Sequence, residues 1–294
     1  MQNKPDMTHV AAAVPMVSIQ GEIGEGGFKV VYRADMNGRA EALKLVRIPV
    51  DPGDSAVEET NRRRLRRELD LLARCQTPYL VKLGQIAPTD CRIDGLDYVY
   101  YSEELIEGSC LRAKIQQGDI PNQATLATLG SCLLSAVQEL AGQNAVHRDI
   151  KPDNVIAASD PYRPFVLLDL GVAFIVGGTN LTMDTHVIPG TRWYLAPEML
   201  DIGFRQTLDY RADLYAIGLT LYEYASGMNP FASPSDPPVA TLYRIRHVHP
   251  APLRALRADL DAGLCKLVDQ LIKKIPALRP ANVAQLIRQM EGYR

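Results

Sequence analysis

The spacing of apolar residues changes near residue 106, and this change limits the folds open to the 294-residue chain. Before it, apolar and polar residues alternate over short runs, as they do in half-buried β-strands. Two such runs flank Asn37-Gly38, a strong signal for a β-hairpin. After it come longer helical segments, at Gln123–Ala141, Ala212–Ser226 and Leu264–Lys274. The pattern predicts a strand-rich part followed by a larger helical part.

The strand-rich part is predicted to contain one helix. The segment from about Ser55 to Arg74 has Leu65, Leu69 and Leu72 on one helical face. Strands are predicted at SIQGEIG, FKVVYRADM, AEALKLVRI, LVKLGQIAP and LDYVYYSEEL. The resulting domain prediction is a leader at 1–17, a small lobe at 18–105 and a large lobe at 106–294.

Composition excludes several classes of protein. The 32 Lys and Arg residues nearly balance the 34 Asp and Glu residues, so we expect no nucleic-acid partner, because nucleic-acid-binding domains are usually basic. The five cysteines form no CxxC pair, which favours reduced thiols and a cytoplasmic location. The apolar stretch Leu214–Ala225 is short and contains Glu223, whereas a membrane span needs about 20 apolar residues. We therefore expect no membrane segment in this chain.

A glycine-rich stretch and a lysine indicate phosphate binding. Glycines in GEGGFKVV, residues 24–31, would let backbone N–H groups approach phosphate oxygens, although a plain hairpin turn explains this stretch better when it is taken alone. Lys44 shares a strand face with Ala42 and Val46, because side chains alternate along a strand. A lysine on a partly apolar face needs an anionic partner, either a ligand phosphate or Glu68 on the helix that follows.

The stretch HRDIKPDN, residues 147–154, concentrates charged and amide side chains in a loop between a helix and a strand. Asp149 could orient a hydroxyl group, and Lys151 could neutralise phosphate charge. Asn154 and Asp169, which ends the apolar run VLL, could hold a hard cation such as Mg²⁺. Positioning, a metal and positive charge are the parts that phosphoryl transfer needs.

With these motifs in order along roughly residues 18–290, the chain resembles the serine/threonine branch of the eukaryotic-type (Hanks-type) protein kinases. The matching motifs are Gly24–Val31, Ala42-Leu43-Lys44, Glu68, His147–Asn154, Asp169-Leu170-Gly171 and Ala196-Pro197-Glu198. The resemblance implies an α+β, two-lobed protein-kinase-like fold, with a small antiparallel-sheet lobe carrying one helix and a larger, mainly helical lobe. Lys151, two residues after Asp149, and Thr191 are typical of the serine/threonine branch.

The resemblance also implies a role for each residue of the catalytic and nucleotide-binding sets. The catalytic set is Asp149 as base, Lys151 at the γ-phosphate, Lys44 at the α- and β-phosphates with Glu68 as its partner, and Asn154 and Asp169 on Mg²⁺. The ATP-binding set is Gly24, Glu25, Gly26, Val31, Ala42, Lys44, Glu104, Ile106, Ile156 and Asp169, with the Glu104 carbonyl and the Ile106 N–H on the adenine edge.

The same resemblance implies structural roles for three residues and shows two positions where this sequence differs from the family pattern. Asp213 would anchor the catalytic loop from a buried helix, and Glu198 and Arg279 would form a buried ion pair. Lys29 replaces the third glycine of the loop, and its side chain either points to solvent or adds a phosphate contact. Glu103 stands before the connector, where a carboxylate needs a partner or water, unless the alignment is shifted by one and Ser102 stands there.

Regulation is implied by the segment between Asp169 and Glu198. Arg148 would bind a phosphate on this segment, with Thr182 and Thr185 as the predicted phosphosites. Thr191 would face the substrate. Autophosphorylation would make the protein a phosphoprotein and would require at least a transient homodimer.

The sequence thus predicts a serine/threonine protein kinase that uses ATP and Mg²⁺ to phosphorylate Ser and Thr hydroxyls of protein substrates. A pseudokinase, acting as a nucleotide-binding scaffold, is the alternative, and Lys29 and Glu103 are its only support. A small-molecule kinase of the aminoglycoside-phosphotransferase type is a third reading. The segment from Gly190 to Glu198, with Arg279, argues against it because it resembles a platform for protein substrates.

Overall fold

The computed structural model describes residues 4–48, 55–170, 174–175, 191–233 and 235–294. These residues form two compact units. The first unit holds residues 4–48, 55–74 and 81–106, and the second holds residues 75–80 and the described residues from 107 onward. The division falls after Ile106, one residue beyond the predicted lobe boundary.

The first unit is built on an antiparallel sheet of order β1-β2-β3-β5-β4. Its elements are α1 (Met7–Ala13), β1 (Ser18–Glu25), β2 (Lys29–Met36), β3 (Arg39–Arg47), α2 (Ser55–Arg74), β4 (Thr89–Ile93) and β5 (Leu96–Glu104). The predicted hairpin is confirmed: Asn37 and Gly38 join β2 to β3 with φ of 54° and 82°, the left-handed values that this turn requires.

One prediction for this unit was wrong. The stretch LVKLGQIAP does not form a regular strand, because its pairing is limited to isolated bridges at Leu80 and Leu83. The predicted lobe at 18–105 has its one expected helix, α2, and the second helix of the unit, α1, lies within the predicted leader. Val10, Val14 and Val17 pack into the buried cluster of the sheet. Only Val10 lies within α1, and Val14 and Val17 follow the end of the helix.

The sheet has one face in this core and one that carries the predicted nucleotide-binding residues. Val30, Tyr32, Leu43 and Leu45 are buried in the cluster that α1 joins. Because side chains alternate, their neighbours along β2 and β3 point to the opposite face. Those neighbours are Val31, Ala42 and Lys44.

The second unit is mainly helical, which confirms the predicted α+β class. Its elements are β6 (Gly108–Cys110), α3 (Leu111–Gln116), α4 (Gln123–Gly142), β7 (Ala145–Val146), β8 (Val155–Ala158), β9 (Phe165–Leu167), β10 (Phe174–Ile175), α5 (Arg211–Ser226), α6 (Pro238–His247), α7 (Leu253–Leu256), α8 (Ala262–Leu271) and α9 (Val283–Glu291). Helix α5 is buried along most of its length. Helix α4 is long and apolar enough to cross a membrane, but most of it is buried inside the unit, as in many core helices.

Residues 75–80 belong to the second unit although strands of the first unit follow them in sequence. The Glu139 carboxylate on α4 accepts hydrogen bonds from the backbone N–H groups of Gln76 and Thr77. The Leu167 N–H donates to the Tyr79 carbonyl at 2.8 Å. These bonds hold the segment against α4 and β9.

Candidate active site

Asp213 on α5 fixes the backbone of the loop that carries the predicted catalytic residues. Its Oδ2 accepts a hydrogen bond from the His147 N–H at 2.7 Å, and its Oδ1 accepts one from the Arg148 N–H at 2.9 Å. Burial raises the pKa of Asp213 to about 7, and the two N–H donors oppose that shift. Arg148 adopts a left-handed φ of 70°, a strained backbone that these bonds help to hold. The predicted anchoring role of Asp213 is confirmed.

His147 connects the loop to the strand that leads to Asp169. Its Nδ1 accepts a hydrogen bond from the Asp149 N–H at 3.3 Å, so its Nε2 carries the proton and donates to the Leu168 carbonyl at 3.2 Å. Complete burial lowers the pKa of His147 to about 4, because the charged ring loses its hydration. The ring is therefore neutral at physiological pH.

A pH titration followed by NMR should separate His147 from His9. We expect the His147 ring to stay neutral from about pH 8 down to about pH 5, because burial disfavours its protonation. His9 should titrate above its ordinary pKa, because its ring bonds Asp94 at 2.8 Å. A His9→Gln variant assigns the His9 signals, and titration of His147 near its ordinary pKa of 6.5 would contradict its burial.

Lys151 and Asn154 converge on the Asp149 carboxylate. Lys151 Nζ lies 2.8 Å and 2.9 Å from the two Asp149 carboxylate oxygens. Asn154 Nδ2 donates to Oδ2 and to the backbone carbonyl of Asp149, both at 2.8 Å. Three of the predicted catalytic residues are thus brought together, and the Asp149 carboxylate is held in one orientation.

The same contacts determine which atom of Asn154 could bind a cation. Both partners of its Nδ2 are oxygens, so the amide nitrogen must face them and Oδ1 is the atom suited to a metal. The Leu168 N–H donates to the Asn154 carbonyl at 2.8 Å, which brings Asp169 close to Asn154 in the fold. Among the described residues no group of three or more His, Cys, Asp or Glu side chains could hold a metal. Mg²⁺ commonly takes one or two protein oxygens plus substrate phosphates, so Asn154 and Asp169 fit it.

In the first unit, the glycine-rich stretch forms the turn between β1 and β2. Gly24 lies opposite Val31, and the Gly26 N–H donates to the Lys29 carbonyl at 2.8 Å. The Lys29 side chain folds over Gly26, where an added Cβ would lie 3.3 Å from it. Glu25 forms an ion pair with Lys4 at 3.2 Å. Lys29 therefore does not disrupt the turn.

Lys44 has a carboxylate partner that the resemblance did not assign to it. Its Nζ lies 2.5 Å from Glu103 Oε2, and both side chains are buried. Glu68, the predicted partner, accepts a hydrogen bond from Arg64 at 3.2 Å, and the Lys44–Glu68 pairing stays a prediction. Ser102 lies opposite Leu43 on the core face, so Glu103 is the residue that shares a face with Lys44. Glu103 thus has the partner that a buried carboxylate there was predicted to need.

The predicted adenine contacts lie at the end of β5 and in β8. The Glu104 N–H donates to the Lys82 carbonyl at 2.9 Å, and the Glu104 carboxylate accepts from the Lys82 N–H at 2.8 Å. Ile106 follows β5 and is half-buried. Ile156 lies in β8, opposite Cys110 and Val166. Their contacts with adenine remain predictions.

The predicted Glu198–Arg279 pair is confirmed in the second unit. The two residues form a bidentate pair, with N–O distances of 2.6 Å and 2.8 Å. Glu198 lies in the short 3-10 turn Pro197–Leu200, and the Arg279 side chain is fully buried.

A comparison with protein-family models matches residues 17–290 to the model described as the protein kinase domain. The chain belongs to the protein kinase domain family. This membership confirms the resemblance inferred from the motifs, and the loop around Asp149 is the predicted catalytic loop of that domain.

Among curated proteins, this kinase domain is similar to bacterial and eukaryotic kinases. It is 30% identical to the serine/threonine-protein kinase pkn3 of Myxococcus xanthus, over 93% of the chain and 49% of that protein. It is 32% identical to a probable serine/threonine-protein kinase of Streptomyces coelicolor, over 92% of the chain and 38% of that protein. It is 29% identical to myosin light chain kinase A of Dictyostelium discoideum, over 74% of the chain and 69% of that protein. The chain spans half or less of the length of the first two.

The kinase domain also contains a network that the sequence did not predict. Arg112 on α3 bonds Asp153 of the catalytic loop at 3.2 Å and Glu223 of α5 at 2.5 Å. It also bonds the Tyr194 hydroxyl, which itself donates to Glu223. These partners lie between 29 and 111 residues apart, so no local pattern could have revealed them.

The two predicted phosphosites fall outside the described part of the chain. Thr182 and Thr185 lie outside the described residues, and for Thr191 only the backbone is described. The Arg148 guanidinium lies 5.9 Å from the centre of the Phe204 ring.

Proposed function

We propose that this chain is a serine/threonine protein kinase that transfers the γ-phosphate of Mg–ATP to Ser and Thr hydroxyls of protein substrates. The observation that carries the proposal is the catalytic loop, where Lys151 and Asn154 both bond the Asp149 carboxylate. The names of the similar proteins support the serine/threonine class.

Each residue has a definite task in this proposal. Asp149 accepts the proton of the substrate hydroxyl, and its bonds to Lys151 and Asn154 keep the carboxylate aimed. Lys44 binds the α- and β-phosphates of ATP. Asn154 and Asp169 would hold Mg²⁺, which would supply positive charge that neutralises the phosphates. Lys151 adds a further cation for the transferred phosphoryl group.

Regulation and location belong to the same proposal. Autophosphorylation at Thr182 and Thr185, in a transient homodimer, would raise activity by providing a phosphate for Arg148. None of the five cysteines, all of which lie in the described part of the chain, forms a disulfide bond, which supports a reducing, cytoplasmic environment.

Intact-mass spectrometry tests the proposed activity. Phosphatase-treated protein is incubated with Mg–ATP and a mixture of Ser/Thr-containing and Tyr-containing peptides, beside an Asp149→Ala variant. We expect added mass in units of one phosphate on the protein and on the Ser/Thr peptides, and none with the variant. Peptide mapping then locates the modified residues.

Two results would contradict the proposal. Phosphate on Tyr peptides alone would exclude the serine/threonine class. Absence of transfer to any peptide and to the protein itself, with retained ATP binding, would favour the nucleotide-binding scaffold. Full activity of a Thr182→Ala/Thr185→Ala variant would reject the regulatory part alone.

A further inference from the structure

The face of the sheet opposite the first unit's core brings Lys44 and Glu103 together. In the strand register, Lys44 of β3 lies opposite Val31 of β2 and Tyr101 of β5, while Ala42 lies opposite Glu103. Lys44 and Glu103 are therefore diagonal neighbours on one face, a separation that long side chains can bridge. The contact follows from the register of two adjacent strands.

The pair is short and buried. Lys44 Nζ lies 2.5 Å from Glu103 Oε2, with side-chain exposures of 5% and 4%. Removing a charge from water is costly, and the opposite charge of the partner offsets part of that cost for each group. The Tyr101 ring, with its centre 5.9 Å from Nζ, also faces the ammonium. A charge-assisted hydrogen bond of this kind restricts where the ammonium can go.

The backbone that carries Glu103 is held on both sides. β5 lies between β3 and β4 in the sheet. At the end of β5, Leu83 forms a bridge with Glu103, and the Glu104 N–H donates to the Lys82 carbonyl at 2.9 Å. The carboxylate thus sits on a strand bonded to the strand of Lys44. Glu68, in contrast, lies on α2, a helix outside the strand ladder.

We infer that Glu103 is a positioning residue that holds the Lys44 ammonium, from within the sheet, where it binds the phosphates of ATP. The inference rests on the proposed function, in which Lys44 is the phosphate-binding lysine. An ammonium has three N–H donors, so a bond to one carboxylate does not exhaust its capacity for phosphate oxygens. The unusual glutamate at position 103 then supports nucleotide binding. It does not indicate that nucleotide binding has been lost.

A double-mutant cycle with two ligands tests this inference. The dissociation constants of Mg–ATP and of adenosine are measured by calorimetry for the wild type, Glu103→Gln, Lys44→Met and the double variant. We expect Glu103→Gln to weaken ATP binding about 10- to 100-fold, in line with the loss of a hydrogen bond between charged groups. Adenosine lacks phosphates, so its affinity should change less than about twofold. In the Lys44→Met background, Glu103→Gln should have no further effect on ATP.

Controls separate positioning from folding. Glu41→Gln removes a buried carboxylate on the opposite face of the same sheet, where Glu41 bonds Ser102. It should lower stability without changing the ratio of ATP to adenosine affinity. Glu103→Asp keeps the charge but shortens the side chain, and it should restore part of the ATP affinity. Because Glu103→Asp retains a carboxylate, it also serves if Glu103→Gln does not fold.

Several outcomes would overturn the inference. Equal losses of ATP and adenosine affinity would mean that Glu103 supports only the fold, and tighter ATP binding by Glu103→Gln would mean that it opposes the phosphates. Additive effects of the two substitutions would mean that it does not act through Lys44. The proposed function is tested separately, by measuring phosphate transfer by the wild type. If the dissociation constants follow the expected cycle but the wild type transfers no phosphate, the proposed kinase activity is contradicted. The role of Glu103 in holding Lys44 for ATP binding would still stand.

Discussion

Replacing Asp149 with Asn is expected to lower the rate of phosphate transfer about 10²- to 10⁴-fold, the usual contribution of a general base. Asparagine has nearly the same shape but cannot accept the proton. Its amide nitrogen would also meet the Lys151 ammonium, which now donates to both carboxylate oxygens. ATP affinity should change less than about threefold, because this role concerns the substrate hydroxyl.

The measurement is a steady-state assay with a Ser/Thr peptide, giving kcat and the KM for ATP. Asp160→Asn is a matched control, because Asp160 is an exposed aspartate near the catalytic loop that caps the Tyr162 N–H. It should retain activity close to that of the wild type. A kcat close to the wild-type value in Asp149→Asn would show that another group accepts the proton.

Replacing Arg279 with Met is expected to lower the free energy of unfolding by about 3–5 kcal/mol, the usual cost of breaking a buried ion pair. All five N–H donors of Arg279 have oxygen acceptors: the two Glu198 oxygens and the carbonyls of Arg211, Lys273 and Lys274. The guanidinium also lies 4.9 Å from the centre of the Tyr215 ring. Methionine would fill part of the volume but would leave the Glu198 carboxylate and three carbonyls without these donors.

Urea unfolding, followed by circular dichroism, measures this loss. Arg246→Met is the control, since the Arg246–Asp201 pair has a similar distance, 2.6 Å, but both side chains are about half exposed. Exposed pairs contribute little, so this control should lose less than about 1 kcal/mol. The loss of unfolding free energy in Arg279→Lys should lie between those of the other two variants, because lysine cannot supply five N–H donors. If Arg279→Met and Arg246→Met lose the same free energy of unfolding, burial does not determine how much the Glu198–Arg279 pair contributes to stability.

Local patterns in the sequence predicted many of the elements and the catalytic loop. The Asn37-Gly38 hairpin and the helix from Ser55 to Arg74 both followed from short-range signals, namely turn residues and apolar spacing. The roles of Asp213 and of the Glu198–Arg279 pair came from the resemblance, and the contacts confirm them. Local sequence patterns alone could not have predicted the Glu198–Arg279 contact, since 81 residues separate the two.

By itself, the sequence determined the α+β class and the family, because these depend on periodicity and on motifs only a few residues long. It also yielded the proposed set of residues that carry the chemistry. The tertiary structure decided which carboxylate lies against Lys44, since β3 and β5 are separated in sequence by a helix and a strand and meet only through the sheet. It also decided that α1 belongs to the core of the first unit, because seven residues can form a stable helix only when an apolar face is buried against another element.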